Sequence, residues 1–220
     1  MIVLLVYFIV LFYRIHLIMS TLKDMPYEII LHLMSFMKGN DIAQFCQENK
    51  TIHAICKQNK TKIAQYILKN DYGFTVFPHG YHYPKLLSYF RRLSSLASIV
   101  TPTRVTFLQK SIKDNQFSTF KFIVANMNIN NHIDDILYDI AIENNIEALE
   151  YLIEQGIRFD DEQFIELCIT AFLWRSERII DYITIHFYEE LRNEHLLICE
   201  LLEEKGDWPM ADYIRSLVSS

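Results

Sequence analysis

Apolar and polar positions recur along most of this 220-residue chain with the helical period of about 3.6 residues. After Pro26, Ile29, Ile30, Leu33, Met34 and Met37 fall at i, i+1, i+4, i+5 and i+8, which places them on one face of a helix. Pro26 suits a first helical position, where its missing N–H costs nothing. Glu28 lies in the first turn, where the helix dipole favours negative charge. The spacing predicts that Gly39 ends this helix and that Asn40 or Asp41 caps the next, with Ile42, Phe45 and Cys46 on its buried side. Thr51 is expected to cap a third helix that turns Ile52, Ile55 and Cys56 inward. Three helices this short leave apolar surface uncovered, and such a module needs a partner to finish its burial.

The second half carries an internal repeat. EALEYLIEQ, RIIDYITIH and PMADYIRSL place Tyr151, Tyr182 and Tyr213 at intervals of 31 residues, and TFKFIVANM puts Phe122 a further 29 residues upstream. Ahead of each lies another apolar helical run: VTFLQKSI, ILYDIAIEN, FIELCITAF and LLICELLEE. Cys168 and Cys199, also 31 apart, take equivalent helix positions. Each unit therefore predicts helix, short turn, helix. A lone pair of that length cannot bury both apolar faces, so neighbours are expected to stack into a solenoid. Between the two regions, DYGFTVFPHGYHYP (Asp71 to Pro84) predicts a loop and a boundary. The following Lys85 to Val100 reads as a degenerate first repeat or a helical linker. The predicted class is all-α. It is organised as an apolar N-terminal segment over 1–19, a three-helix module over 20–62, a linker or degenerate repeat over 63–100 and helix-pair repeats over 101–220.

Composition agrees with helices: 51% of residues are hydrophobic, and five glycines and five prolines are too few for the many turns of a β-sandwich. Charge changes the picture more. Residues 1–100 carry 11 Lys/Arg against 5 Asp/Glu, a balance of +6, and residues 101–220 carry 10 against 22, a balance of −12. The net −6 argues against wholesale nucleic-acid binding, and the asymmetry implies two modules with different partners. The four cysteines, Cys46, Cys56, Cys168 and Cys199, are too scattered for a disulfide framework, so reduced, partly buried thiols are expected. The opening MIVLLVYFIVLFYRIHLIM is interrupted only by Arg14 and His16. Its apolar run before Arg14 falls short of the roughly 20 residues that span a bilayer. Three readings stay open: translation starts at Met19, the segment is a membrane anchor, or it is a packed helix.

Motifs that carry chemistry are missing. There is no Gly-rich phosphate loop, H-E-x-x-H or C-x-x-C. Cys46, His53 and Cys56 could converge, and His79 lies near His82, but neither group offers four ligands at a recognised zinc spacing. Glu143, Glu147, Glu150 and Glu154 read as solvated helix faces rather than paired catalytic acids. Trp174 and Trp208 read as core or interface anchors. The expectation is a non-enzymatic protein with no cofactor and no bound metal.

Two resemblances give this a direction. The order of features from Met25 to Lys50 resembles an F-box: Met25-Pro26 stands at the family's Leu-Pro opening, Glu28-Ile29 follows, the apolar helix closes on Phe36-Met37, Asp41 follows a short break, and Cys46 lies in the next helix. Met25 replaces the usual leucine, and the tryptophan often found near the third helix is absent. CQENKTIHAIC is similar to a C-x-x-N-K variant of F-box-like proteins in large DNA viruses. AIENNIEALEYLIEQGI (Ala141 to Ile157) resembles an ankyrin repeat with Gly156 at its turn, although Phe187 and Val218 replace that glycine later and the Thr-Pro-Leu-His opening is missing. Tetratricopeptide-type pairs are the runner-up, with a period nearer 34. The F-box resemblance implies that 20–62 docks on the Skp-type linker of a cullin-RING (SCF-type) ubiquitin ligase, with Pro26, Ile29, Ile30, Leu33, Met34 and Asp41 in the docking face. The repeats would then present a protein substrate, in the cytoplasm of a virus-infected host. The alternatives are a plain ankyrin-like scaffold whose first helices cap the solenoid, and a scaffold tethered to a membrane by residues 1–19.

Overall fold

A computed structural model describes residues 25–96 and 103–219, so the apolar segment over 1–19 lies outside the described residues. Among the described residues the chain forms thirteen α-helices, one 3-10 turn and no strand. The all-α class is therefore as expected. The helices fall into two compact units that divide between Leu96 and Ala97.

The first unit holds α1 (Tyr27–Met34), α2 (Gly39–Phe45), α3 (Lys50–Gln58), α4 (Lys60–Tyr72) and α5 (Tyr83–Leu96). Helices as short as α1, α2 and α3 are not stable alone. Each of them, and α5, packs against the longer α4, whose Ile63, Ala64, Ile67 and Leu68 are buried. The line drawn at residue 62 from sequence falls inside α4. That helix also supplies what the local sequence does not. Helix α1 ends at Met34, before Gly39, and Gly39 instead opens α2 with its N–H donated to both carboxylate oxygens of Asp71 at 3.1 Å. Asp71 thus does what Asn40 or Asp41 was expected to do. Beside it the Asn70 amide donates to the carbonyls of Ser35 (2.9 Å) and Met37 (2.8 Å), which fixes the α1–α2 turn on α4. The third helix is capped two residues earlier than expected: Asn49 Oδ1 accepts from Ile52 N–H at 2.8 Å, and Thr51 lies within the helix.

Two further expectations are corrected in this unit. The 71–84 loop does not mark a division, because aromatic packing holds it inside the unit. Phe74 is fully buried with its ring centroid 5.1 Å from that of Phe90, and Tyr83 is buried with its hydroxyl donating to the Pro78 carbonyl. Nor are all four thiols reduced. Cys46, at the C-cap of α2, is disulfide-bonded to Cys56 in α3, because the turn between the helices brings their Cα atoms to 6.0 Å.

The second unit runs through α6 (Arg104–Lys113), α7 (Phe117–Val124), a 3-10 turn (Asn130–His132), α8 (Ile133–Ile142), α9 (Ile146–Glu154), α10 (Asp161–Leu173), α11 (Glu177–His186), α12 (Tyr188–Glu204) and α13 (Trp208–Ser219). The first helices α6, α8, α10 and α12 each pack on the next, and the second helices α7, α9 and α11 do the same, which makes two layers. Every first helix closes in the same way. Asn115, Asn144, Arg175 and Gly206 take left-handed φ values of 51°, 50°, 56° and 83°. The following N–H then bonds five residues back, Gln116 to Ser111, Asn145 to Ile140, Ser176 to Ala171 and Asp207 to Leu202, at 2.8 to 3.0 Å. The four left-handed residues recur at intervals of 29, 31 and 31.

Neighbouring turns are joined by side chains. Ser176 Oγ donates to the Ala141 carbonyl, Asn144 Oδ1 accepts from Ile179 N–H at 3.2 Å, and the Arg175 guanidinium grips both oxygens of Asp207 at 2.7 and 3.0 Å. The residues that strain the backbone at Asn144 and Arg175 are thus the ones that tie one pair to the next.

Candidate interaction surfaces

Helix α1 is apolar on two sides. Ile30, Leu31 and Met34 are buried at 0%, 3% and 0% exposure, whereas Ile29, Leu33 and Phe36 are 45%, 41% and 74% exposed. Met25, Ile29, Leu33 and Phe36 are spaced by four, four and three residues, so they align as one outer stripe. The His32 ring stands edge-on to Phe36 with centroids 5.0 Å apart, and Tyr27 extends the apolar surface. The residues expected in a docking face therefore divide. Pro26, Ile29 and Leu33 point outward, while Ile30 and Met34 hold α1 on the rest of the unit and cannot meet a partner without unfolding it. Asp41 is exposed in the first turn of α2. Phe36, the most exposed of the stripe, was missing from the expected set, although its distance of three residues from Leu33 already placed it on that side.

A second surface lies across the first helices of three consecutive pairs. Tyr138 of α8, Ile165, Ile169 and Leu173 of α10, Trp174 at its C-cap, and Leu197 and Leu201 of α12 enclose an open groove of about 580 Å³. Trp174 is 57% exposed, Tyr138 46% and Leu197 42%, so these three face water, whereas Ile169 is buried beneath them. Glu162 and Glu166 stand toward the α10 N-terminus and Lys205 at the C-cap of α12. A smaller hollow of about 450 Å³ is walled by Phe164 and Phe187, with ring centroids 5.7 Å apart, and has charges of both signs at its mouth.

The titratable groups are built into the fold. Cys168 and Cys199 are buried free thiols, and burial pushes both up in pKa, away from the thiolate that nucleophilic or metal chemistry uses. Cys46 and Cys56 bond to one another rather than converging with His53 on an ion. Among the described residues no group of three or more His, Cys, Asp or Glu is arranged to hold a metal. Glu147 bonds Arg178 of the next pair at 2.9 Å, and that hydrogen bond holds its carboxyl below the usual range. Arg175 does the same to Asp207. Asp139 is buried between α6 and α8 with one oxygen 3.0 Å from Lys113 Nζ and the other without a protein partner.

Comparisons with protein-family models, with curated proteins and with solved structures find no match to this chain. Among the described residues no helix is long and apolar enough to cross a membrane.

Proposed function

We propose that this protein is a non-enzymatic adaptor of an SCF-type ubiquitin ligase: the outer stripe of α1 docks a Skp-type linker bound to a cullin, and the stacked helix pairs hold the protein to be modified. The observation that carries this reading is α1 itself. Its inner face is fully used by Ile30 and Met34, yet Ile29, Leu33 and Phe36 still present apolar surface directly after the Met25-Pro26 opening that resembles an F-box. The balance of +6 over residues 1–100 suits an acidic linker, and −12 over 101–220 suits a basic target. The four matching turns support an ankyrin-like array in the second unit. The host cytoplasm is the compartment this reading requires. A plain scaffold without a ligase role is the second reading, favoured by the open groove at Trp174, which needs no linker to bind a partner.

Co-purification of the full chain from host-cell extract tests the proposal, wild type beside Leu33→Asp. Leu33 is 41% exposed and lies in the last turn of α1, where a carboxylate opposes the helix dipole and aspartate is a poorer helix former, so the change should cost about 1 kcal/mol and leave the unit folded. The expected result is linker and cullin with the wild type and neither with the variant, with both proteins folded by circular dichroism. A folded wild type that brings down neither sinks the ligase reading and leaves the scaffold. A variant that keeps the linker moves docking away from α1.

A further inference from the structure

We infer that the groove over α8, α10 and α12 receives one amphipathic helix of a partner protein, basic at one end and acidic at the other. This rests on the reading of the stacked pairs as the partner-holding surface and is independent of what α1 binds, because every lining residue belongs to the second unit.

The lining has the periodicity of a helix seat. Glu162, Ile165, Glu166, Ile169 and Leu173 follow one another along α10 at i, i+3, i+4, i+7 and i+11, and Leu197, Leu201 and Lys205 follow along α12 at i, i+4 and i+8. Two helices that carry such rows side by side leave a trough between them, and a third helix fills a trough of this kind with residues at i, i+3, i+4 and i+7. The 13 residues of α10 rise about 20 Å, which sets the length of the occupant near four turns. Along its length it would meet Tyr138 and Leu197, and at the C-terminal end of α10 Trp174, whose exposed apolar area is the desolvation gained on docking.

The ends choose the occupant. Among the described residues Glu162, Glu166 and Lys205 form no ion pair, which leaves their charges open to an occupant of the groove. Two unpaired carboxylates at one end of an apolar trough and one unpaired ammonium at the other complement a helix with lysines or arginines at the first end and a carboxylate at the second. A uniformly acidic helix meets like charge at Glu162 and Glu166.

The test uses the full chain carrying Trp208→Phe, which leaves Trp174 as the single tryptophan reporter. The probes are synthetic 15-residue helical peptides that share leucines at i, i+3 and i+7. They carry two lysines at the N-terminal end and a glutamate at the other, the same charges exchanged end for end, glutamates throughout, or glutamines throughout. One of the two mixed-charge peptides should shift Trp174 emission to the blue and bind about tenfold tighter than the glutamine peptide. Glu162→Lys/Glu166→Lys should reverse that order, and Trp174→Ala should weaken binding at least tenfold. Equal binding of all four peptides, or of none while the protein stays folded, overturns the inference. So does a concentration-dependent dimer abolished by Leu197→Lys, which would assign the groove to a second copy of the chain. Failure here leaves linker capture by α1 unchanged, and loss of linker capture leaves peptide binding unchanged, so the two results are read separately.

Discussion

Replacing Gly39 by alanine probes whether α4 organises the first unit. The added Cβ would stand 2.5 Å from Asp71 Oδ2 and 2.9 Å from Ile67 Cγ2, both closer than Cβ contacts tolerate. Asp71 is exposed and its carboxylate can swing away, but it then loses the two bonds from Gly39 N–H. A hydrogen bond to a charged group contributes about 1.5–3 kcal/mol, and partial exposure here brings that down to about 1. Ile67 is buried and has less freedom, so its displacement costs about 1 kcal/mol more. Alanine regains about 0.5–1 kcal/mol of helix propensity. The expected net loss is about 1–1.5 kcal/mol, measured by urea denaturation. The decisive quantity is the coupling: once Asp71→Ala has removed the carboxylate, Gly39→Ala should cost close to nothing, leaving a coupling of about 1 kcal/mol. Additive losses, or a Gly39→Ala variant more stable than wild type, would refute the cap supplied from α4.

Two other predictions concern the second unit. Asn144 combines a φ of 50° with the bond from Ile179 N–H, so Asn144→Gly should lose only the bond, about 1 kcal/mol, whereas Asn144→Ala also meets left-handed strain and should lose about 2; equal losses in chemical denaturation would remove the strain argument. Because Arg175 lowers the folded pKa of Asp207, the stability from that pair is fully present above the ordinary aspartate value of about 4 and is lost as pH falls through the lower folded value. The stability gap between wild type and Arg175→Met should therefore narrow from pH 5 toward pH 2, and a gap independent of pH would contradict it.

The helical class and the register of the second helices were readable because Tyr151, Tyr182 and Tyr213 occupy the same place in α9, α11 and α13. The turns were not, because three of the four left-handed positions are Asn115, Asn144 and Arg175 rather than glycine. Asn144 and Arg175 are held there by bonds to residues more than thirty positions away, which a local pattern does not display. The same holds in the first unit. Periodicity marks Ile29, Ile30, Leu33 and Met34 as one apolar group, and only packing on α4 decides that Ile30 and Met34 go in while Ile29 and Leu33 stay out. Asp71, 32 residues from Gly39, could not have been foreseen as its cap.

The layering of α6, α8, α10 and α12 also has a mechanical consequence. Helices α8 and α10 rest chiefly on the first helices before and after them, whereas α12 rests chiefly on its own partner α13, so stability passes along the stack like tension along a chain of links, and among the described helices an outermost pair is the weakest link. Among the described helices α13 leans mainly on α12, so this pair can part from the others while α8 and α10 stay in place. One wall of the groove, carrying Leu197 and Leu201, belongs to that detachable pair, whereas Tyr138 and Ile169 belong to the interior ones. Anything seated in the groove would act as a splint across the joint, and its affinity would include the work of keeping the end of the stack closed.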